Sequence, residues 1–339
     1  MVRHLSFGSV GELAATLVKE APSDVYCSNA YYRFPTNPMQ SKEWLGADLI
    51  FDIDGKDLDL PCVPSHTYFL CSNCGLPVPA QNENRAFSCA SCGAKKVEMT
   101  SIPCTKCLEG SKKEVRKLTQ FLTEDLGIRR EDMDVYFSGN NGFHVHIRDK
   151  SFVPLDSSAR SELAGYLCGV GLMSESIGVR KGTAENLSFK KFPRGGIGYG
   201  WRKKAAEKLK IGETSVIRLK NIVDQKGGYS AFKVELDKTA REMGSRIDPQ
   251  VTTDVHRVFR MPGTLNGKSG LTKARCKDLD DFDPFIDACM LGDNKVNVKV
   301  KIPVKLSLKR KSYSISKESA ELPAHVAVYL ACKNLAEIY

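Results

Sequence analysis

The chain has 339 residues, 50 basic and 40 acidic, a net charge of +10 and 42% hydrophobic content, enough for one large or two ordinary globular domains. No stretch approaches the apolar length of a membrane span, and Met1-Val2-Arg3-His4 lacks the charged-then-apolar pattern of a secretory signal, so a membrane role is excluded and a cytoplasmic or nuclear location is expected. The basic excess is unevenly spread, which favours a polyanionic partner, most naturally nucleic acid.

In chain order, residues 10–20 read as a helix with Leu13, Leu17 and Val18 on one side, followed by Val25 to Tyr32 and a turn-rich segment from Pro35 to Pro38. A strand is predicted over 47–54. Its period of two sets Leu49, Phe51 and Ile53 towards a core and Asp48, Ile50, Asp52 and Asp54 on the other face. Two carboxylates side by side repel each other, so Asp52 and Asp54 suit a divalent cation such as Mg2+. The plainer reading is a strand ending in a solvated acidic turn, since Gly55, Lys56 and Asp57 follow.

Twelve cysteines without an export signal argue for reduced thiols and metal binding. Cys71-x-x-Cys74 and Cys89-x-x-Cys92 each precede a glycine, Gly75 or Gly93, which is the zinc-ribbon arrangement of two knuckles closing four thiolates into a tetrahedron. A third pair, Cys104 and Cys107, needs two more ligands, and Cys62 and His66 are the nearest unassigned candidates. With every position filled by protein, zinc here would be structural. Cys27, Cys168, Cys276, Cys289 and Cys332 lie apart among apolar neighbours and read as core.

A helix follows from about Ser111 to Leu126, with Val115, Leu118, Phe121, Leu122 and Leu126 as its apolar stripe and Gly127 to stop it. Val135 to Phe137 and Phe143 to Ile147 then flank Ser138-Gly139-Asn140-Asn141-Gly142, a hairpin signature. The amides of such a turn can cradle an anion, and Ser138, Gly139, Gly142 and His144 suit a phosphate. The alternative is an ordinary Asn-Gly turn with two exposed histidines, the class in which His146 is placed.

Lys190, Lys191, Arg194, Arg202, Lys203, Lys204, Lys208 and Lys210, interleaved with Phe192, Tyr199 and Trp201, form either a single-strand surface or a solvated loop leading into a helix over 202–209. Asp248 leads a segment that reaches Arg257, Arg260 and the turn Gly263 to Lys268. Acid, then base, then a glycine-rich turn is what a metal-bound triphosphate needs, though Asp248 could equally cap a helix. The lysines from Lys295 to Lys311 alternate with Val296, Val298, Val300 and Ile302, which reads as an edge strand with a charged outer face.

Together these stretches resemble the catalytic (small) subunit of archaeo-eukaryotic DNA primases. The resemblance spans most of the chain: Trp44 through Asp54, Cys104-Thr105-Lys106-Cys107-Leu108-Glu109, Ser138 through His144, Ile247 through Gly270, and Pro323 through Leu330. It implies a mixed α/β (α+β) primase fold with a zinc-binding protrusion. The catalytic domain would comprise 1–61 and 108–339, with a zinc-binding insertion over 62–107 that includes a ribbon at 71–92. The implied catalytic triad is Asp52, Asp54 and Asp248, holding Mg2+ or Mn2+. Ser138, Gly139, His144 and Arg260 would hold the phosphates of an incoming nucleotide, with Arg3 at a further contacting position. The family's zinc site maps onto Cys62, His66, Cys104 and Cys107, making the Cys71, Cys74, Cys89, Cys92 ribbon an insertion.

The implied activity is nucleotidyl transfer that makes primers on single-stranded DNA from NTPs or dNTPs, in partnership with a large primase subunit. A repair polymerase of the same superfamily and a non-catalytic zinc-ribbon protein that binds single strands are the competing readings. Three departures stand out. An N-terminal Arg-Glu-Phe-Gly-Phe-like segment usual in relatives is absent, which points to a trimmed chain or a misplaced start. Asn140 and Asn141 replace basic residues, and Asn266 replaces a phosphate-contacting histidine, for which Lys268 is the substitute charge.

Overall fold

The computed structural model describes residues 2–78, 88–181, 187–189, 200–210, 216–316 and 318–339. Its elements run α1 (Val10–Glu20), β1 (Tyr26–Ser28), β2 (Ala30–Tyr32), β3 (Trp44–Ala47), β4 (Leu49–Asp54), β5 (Thr67–Cys71), β6 (Val97–Ser101), α2 (Thr105–Glu124), β7 (Met133–Phe137), β8 (Gly142–Ile147), α3 (Ser157–Cys168), β9 (Val179–Lys181) and β10 (Leu187–Phe189). They continue with α4 (Gly200–Lys208), α5 (Val216–Gln225), α6 (Tyr229–Met243), α7 (Pro249–Thr253), β11 (Val258–Arg260), β12 (Ala274–Cys276), α8 (Pro284–Asp287), β13 (Lys295–Val300), β14 (Val304–Leu308), β15 (Lys311–Ile315), β16 (Ser319–Pro323), α9 (Ala324–Cys332) and β17 (Ala336–Ile338). Helices and sheets are mixed, as expected, and no described helix is long and apolar enough to cross a membrane.

The centre is a four-stranded antiparallel sheet in the order β12-β7-β8-β4. Alternation along β4 buries Leu49, Phe51 and Ile53 completely, and Phe143, Val145 and Ile147 do the same on β8. Against this face α2 lays Val115, Leu118, Phe121 and Leu122, each fully buried or nearly so. Burying side chains of that size stabilises by roughly 2 kcal/mol apiece, so the helix and the sheet fix each other. The helix begins at Thr105, six residues before Ser111 and with Cys104 as its N-cap, and ends at Glu124 shortly before Gly127 turns left-handed at φ 68°. A second cluster, with Ile177, Val179, Ala205, Val223, Phe232 and Leu236, unites β9 with α4, α5 and α6.

Several expectations change. Helix α1 forms as predicted but buries none of its residues, and Val18 is exposed. Strand β13 pairs with β16 on one side and β17 on the other, so it is a central strand rather than an edge. Its lysines point outward, while Val298 and Val300 enter the core. Of the basic and aromatic run, residues 190–199 lie outside the described residues. Trp201 is buried against Phe121 and donates Nε1–H to Tyr166 O at 2.6 Å, and Lys204 pairs with Asp125 at 2.8 Å. Both belong to the core and not to a base-stacking surface. Cys276 and Cys289 are buried as read, Cys168 and Cys332 are half-buried, and Cys27 is exposed because β1 lies at the surface, paired only with β11.

Candidate active site and metal centres

On the face of β4 opposite the core, Asp52 and Asp54 stand side by side, with His144 and Gly142 as their register partners on β8. Asp48 is drawn off to Tyr31 Oη at 2.8 Å and Lys150 Nζ at 3.2 Å, and Ile50 packs with Val251 and Phe259. Asp248 arrives from far along the chain. Its backbone N–H donates to Asp52 O at 2.9 Å, and its Oδ1 caps α7 by accepting from Gln250 N at 2.9 Å. Asp248 therefore caps a helix and joins the pair at once, although α7 ends at Thr253, well before Arg257.

The electrostatics express this crowding. Burial first, then the negative charges of Asp54 and Asp248, push the Asp52 carboxyl up to about 7, only partly offset by Arg257 and Lys56. Lys56 Nζ pairs with Asp54 Oδ2 at 3.0 Å. His144 is buried and held well below its ordinary range by desolvation, then by Lys273, His146, Arg257 and Arg260. Its neutral imidazole places Nε2 at 3.3 Å from Asp52 Oδ1.

The turn after β7 folds on Ser138, whose Oγ accepts from the amides of Asn140 and Gly142 at 3.4 and 3.2 Å. Gly139 sits at φ 90°, and a Cβ there would come within 2.9 Å of Asn266 Cβ, so only glycine allows the loop carrying Asn266 so close. Asn266 spans the two segments: Nδ2 donates to Ser138 O at 3.3 Å, and Oδ1 accepts from Lys268 N at 2.9 Å. Arg260 is buried and engaged by protein groups: Asp24 Oδ1 at 2.7 Å, Leu265 O at 2.5 Å and Tyr26 Oη at 3.0 Å. Arg3 lies exposed ahead of α1, and Lys268 is exposed beside the turn.

His146 is not an exposed residue of an ordinary turn. It lies half-buried beside Tyr136 and Phe259, pushed down to about 3 by burial and by Lys273, whose Nζ is 3.3 Å from its Nε2. Lys273 escapes a reading of the sequence. It is 1% exposed, enclosed by the rings of Tyr136 and Phe259, and pushed down to about 8 chiefly by desolvation. Local pattern gives no sign of this, because the burial depends on β12 pairing with β7.

The cysteine block forms two separate groups. Cys62, His66, Cys104 and Cys107 make one and Cys71, Cys74, Cys89 and Cys92 the other, with the ligand atoms of each within 4.8 Å of one another. Four sulfurs at about 2.3 Å from zinc would sit roughly 3.8 Å apart. The observed S···S separations are 3.6 Å for Cys71 to Cys92 and Cys74 to Cys89, 3.5 Å for Cys62 to Cys107 and 3.9 Å for Cys104 to Cys107. These are too long for disulfides and right for shared ligation. His66 Nε2 is 3.2 Å from Cys107 Sγ, and burial lowers its pKa, keeping the imidazole neutral as a ligand must be. Both groups could hold zinc. Strands β5 and β6 root them in the body, with Leu70 fully buried in the main core.

Comparison with known proteins agrees with this picture. The family model for the DNA primase small subunit matches residues 98–277. The DNA primase small subunit PriS of Nitrosopumilus maritimus is 42% identical over 341 residues, covering 100% of this chain and 88% of its own. That of Cenarchaeum symbiosum is 42% identical over 337 residues, covering 99% and 88%. The PriS of Archaeoglobus fulgidus is 34% identical over 335 residues, covering 98% and 85%.

Proposed function

Since the chain belongs to the DNA primase small-subunit family, we propose that it is the catalytic subunit of a primase, a nucleotidyltransferase of DNA replication that makes short primers on single-stranded DNA. The observation that carries this reading is the meeting of Asp52, Asp54 and Asp248, with Asp52 pushed up to about 7 by burial and then by its two neighbours. A partly buried cluster of that charge is unfavourable unless a cation joins it, so the residues fit Mg2+ or Mn2+. Held there by Asp52, Asp54 and Asp248, such ions would ease deprotonation of an attacking 3'-hydroxyl and stabilise the negative charge on the leaving pyrophosphate during in-line displacement at an α-phosphate.

The remaining roles fall to the chain itself. Ser138, Gly139 and Gly142 belong to the turn beside the carboxylates and are assigned to a phosphate, His144 borders Asp52, and Arg260 braces the loop that bears Lys268 against Asp24. The ligand groups at 62–107 would hold zinc structurally, as an insertion in a catalytic body made of 1–61 and 108–339, with the ribbon over 71–92. A large primase subunit and a DNA template are the expected partners in the primosome.

The test is synthesis from NTPs and dNTPs on single-stranded template, with and without a supplied primer, using the chain paired with its large subunit. Primer-independent products that vanish in Asp52→Ala support the proposal. Extension of a supplied primer alone would make the protein a repair polymerase. Template binding with no divalent-dependent synthesis would make it a binding protein.

A further inference from the structure

Two lysines beside the Ser138 turn have no acidic partner among the described residues. Lys333 caps the C-terminal end of α9 and is 7% exposed, yet its ammonium has a single acceptor among the described residues, Asn140 Oδ1 at 2.8 Å. No ion pair is formed by it or by Lys268 among the described residues, and the ammonium of Lys268 has no hydrogen bond there either. Burial pushes Lys333 down to about 8; the neighbouring Cys332 opposes this, and the charge of Lys268 adds a smaller push in the same direction as burial. An enclosed cation is costly in the absence of an anion.

Three separate segments converge there. The turn at 138–142 continues past the Asp54 end of β4, where Gly55 N donates to Asn141 O at 2.8 Å. The loop through Asn266 is tied to that turn by Asn266 Nδ2 and by a hydrogen bond from Ser269 Oγ to Gly139 O. Helix α9 closes on the same loop at Gly270, where a Cβ would come within 2.8 Å of Val328 Cγ1. Lys333 is thus carried to Asn140 in the turn, next to Asn141, whose carbonyl accepts from the amide that follows Asp54.

We propose that Lys333, together with Lys268, binds the terminal phosphates of the incoming nucleoside triphosphate, supplying from α9 the positive charge that Asn140 and Asn141 do not. The assignment rests on the primase reading, which places the α-phosphate at Asp52 and Asp54. Asn140 then holds the Lys333 ammonium in place through its amide oxygen until phosphate oxygens take the two remaining N–H donors.

Lys333→Met is the informative variant, because it keeps the aliphatic stem and removes only the charge. Binding of ATP, ADP and AMP to the full-length chain, without template and in the presence of Mn2+, is measured by calorimetry alongside the thermal melt. The expected result is a loss of about tenfold or more in ATP affinity, the scale of one charge-assisted contact, with AMP affinity unchanged, the melt unchanged or raised, and Lys333→Arg near wild type. Lys268→Gln, at an exposed position, should show the same triphosphate-selective loss. Wild-type ATP affinity in Lys333→Met overturns the proposal, as does an equal loss for AMP and ATP accompanied by a lower melt. A loss confined to single-stranded DNA affinity overturns it too, by assigning the lysine to a strand phosphate. If Asp52→Ala abolishes synthesis while Lys333→Met binds ATP normally, this assignment fails and the primase reading stands.

Discussion

The carboxylate cluster and the cysteine block are both metal-ready, but they are assembled in opposite ways. The eight ligands at 62–107 lie within one short stretch, and thiols are neutral when protonated, so their groups can close without an ion. The three aspartates come from two distant segments and are anionic, and bringing them together leaves Asp52 strained electrostatically. The fold of the whole body enforces the second site, while local spacing nearly suffices for the first. Disabling the carboxylates should therefore remove chemistry and spare structure, whereas disabling the sulfurs should do the reverse.

The largest effect expected is on synthesis: Asp52→Ala or Asp54→Ala should lower it by about a thousandfold or more, on the scale seen when essential groups are removed. Zinc content and melt should be unaltered, and retained synthesis would break the comparison outright. Next come the two sulfur groups, measured by metal analysis and calorimetry. Cys107→Ser should cost about 2 kcal/mol or more, because Cys107 is buried in the first turns of α2, which braces the central sheet. Cys89→Ser should remove one zinc per chain with a smaller loss, since its group lies at the far end of β5 and β6 from α2.

A third effect has the opposite sign. The folded pKa of Asp52, about 7, lies above its ordinary 3.8, so the native state retains a proton that the unfolded chain has lost. Stability contributed by this group is therefore present at pH 4 and declines as pH rises to 7. Asp52→Asn should consequently raise the melt at pH 8 without divalent cations by an amount on the order of 2 kcal/mol, and flatten that decline. Added Mn2+ should stabilise the wild type more than the variant. The smallest effect should follow Asn266→Ala, which unties the loop from Ser138 O and should raise KM for nucleotide a few-fold, on the scale of one neutral hydrogen bond, with kcat little changed.

Much of the site was legible because its signals are short-range. Period two fixed the faces of β4 and β8, the Gly/Asn turn marked the hairpin, and the paired knuckles marked the sulfur groups. What stayed hidden depends on partners distant in sequence. Alternating lysines along β13 suggested an edge, since nothing in 295–300 reveals that β16 and β17 flank it on both sides. Trp201 looked like a stacking residue because its neighbours are basic, and only the packing of α4 on α2 makes it core. Lys273 and His146 form a buried pair that no local polarity pattern encodes, because a lysine between two aromatic rings is stabilised by them only once β12 is in place. The expected role of Asn266 illustrates the same limit: where a phosphate-binding histidine was sought, the amide serves as a brace between two loops.

The bond from Asp248 N–H to Asp52 O is a main-chain bond, indifferent to which side chains those positions carry. The scaffold that aligns the two segments is consequently decoupled from the charge it displays. Asparagine at position 248 can keep both this alignment and the cap on α7, so the centre can be silenced while its frame persists.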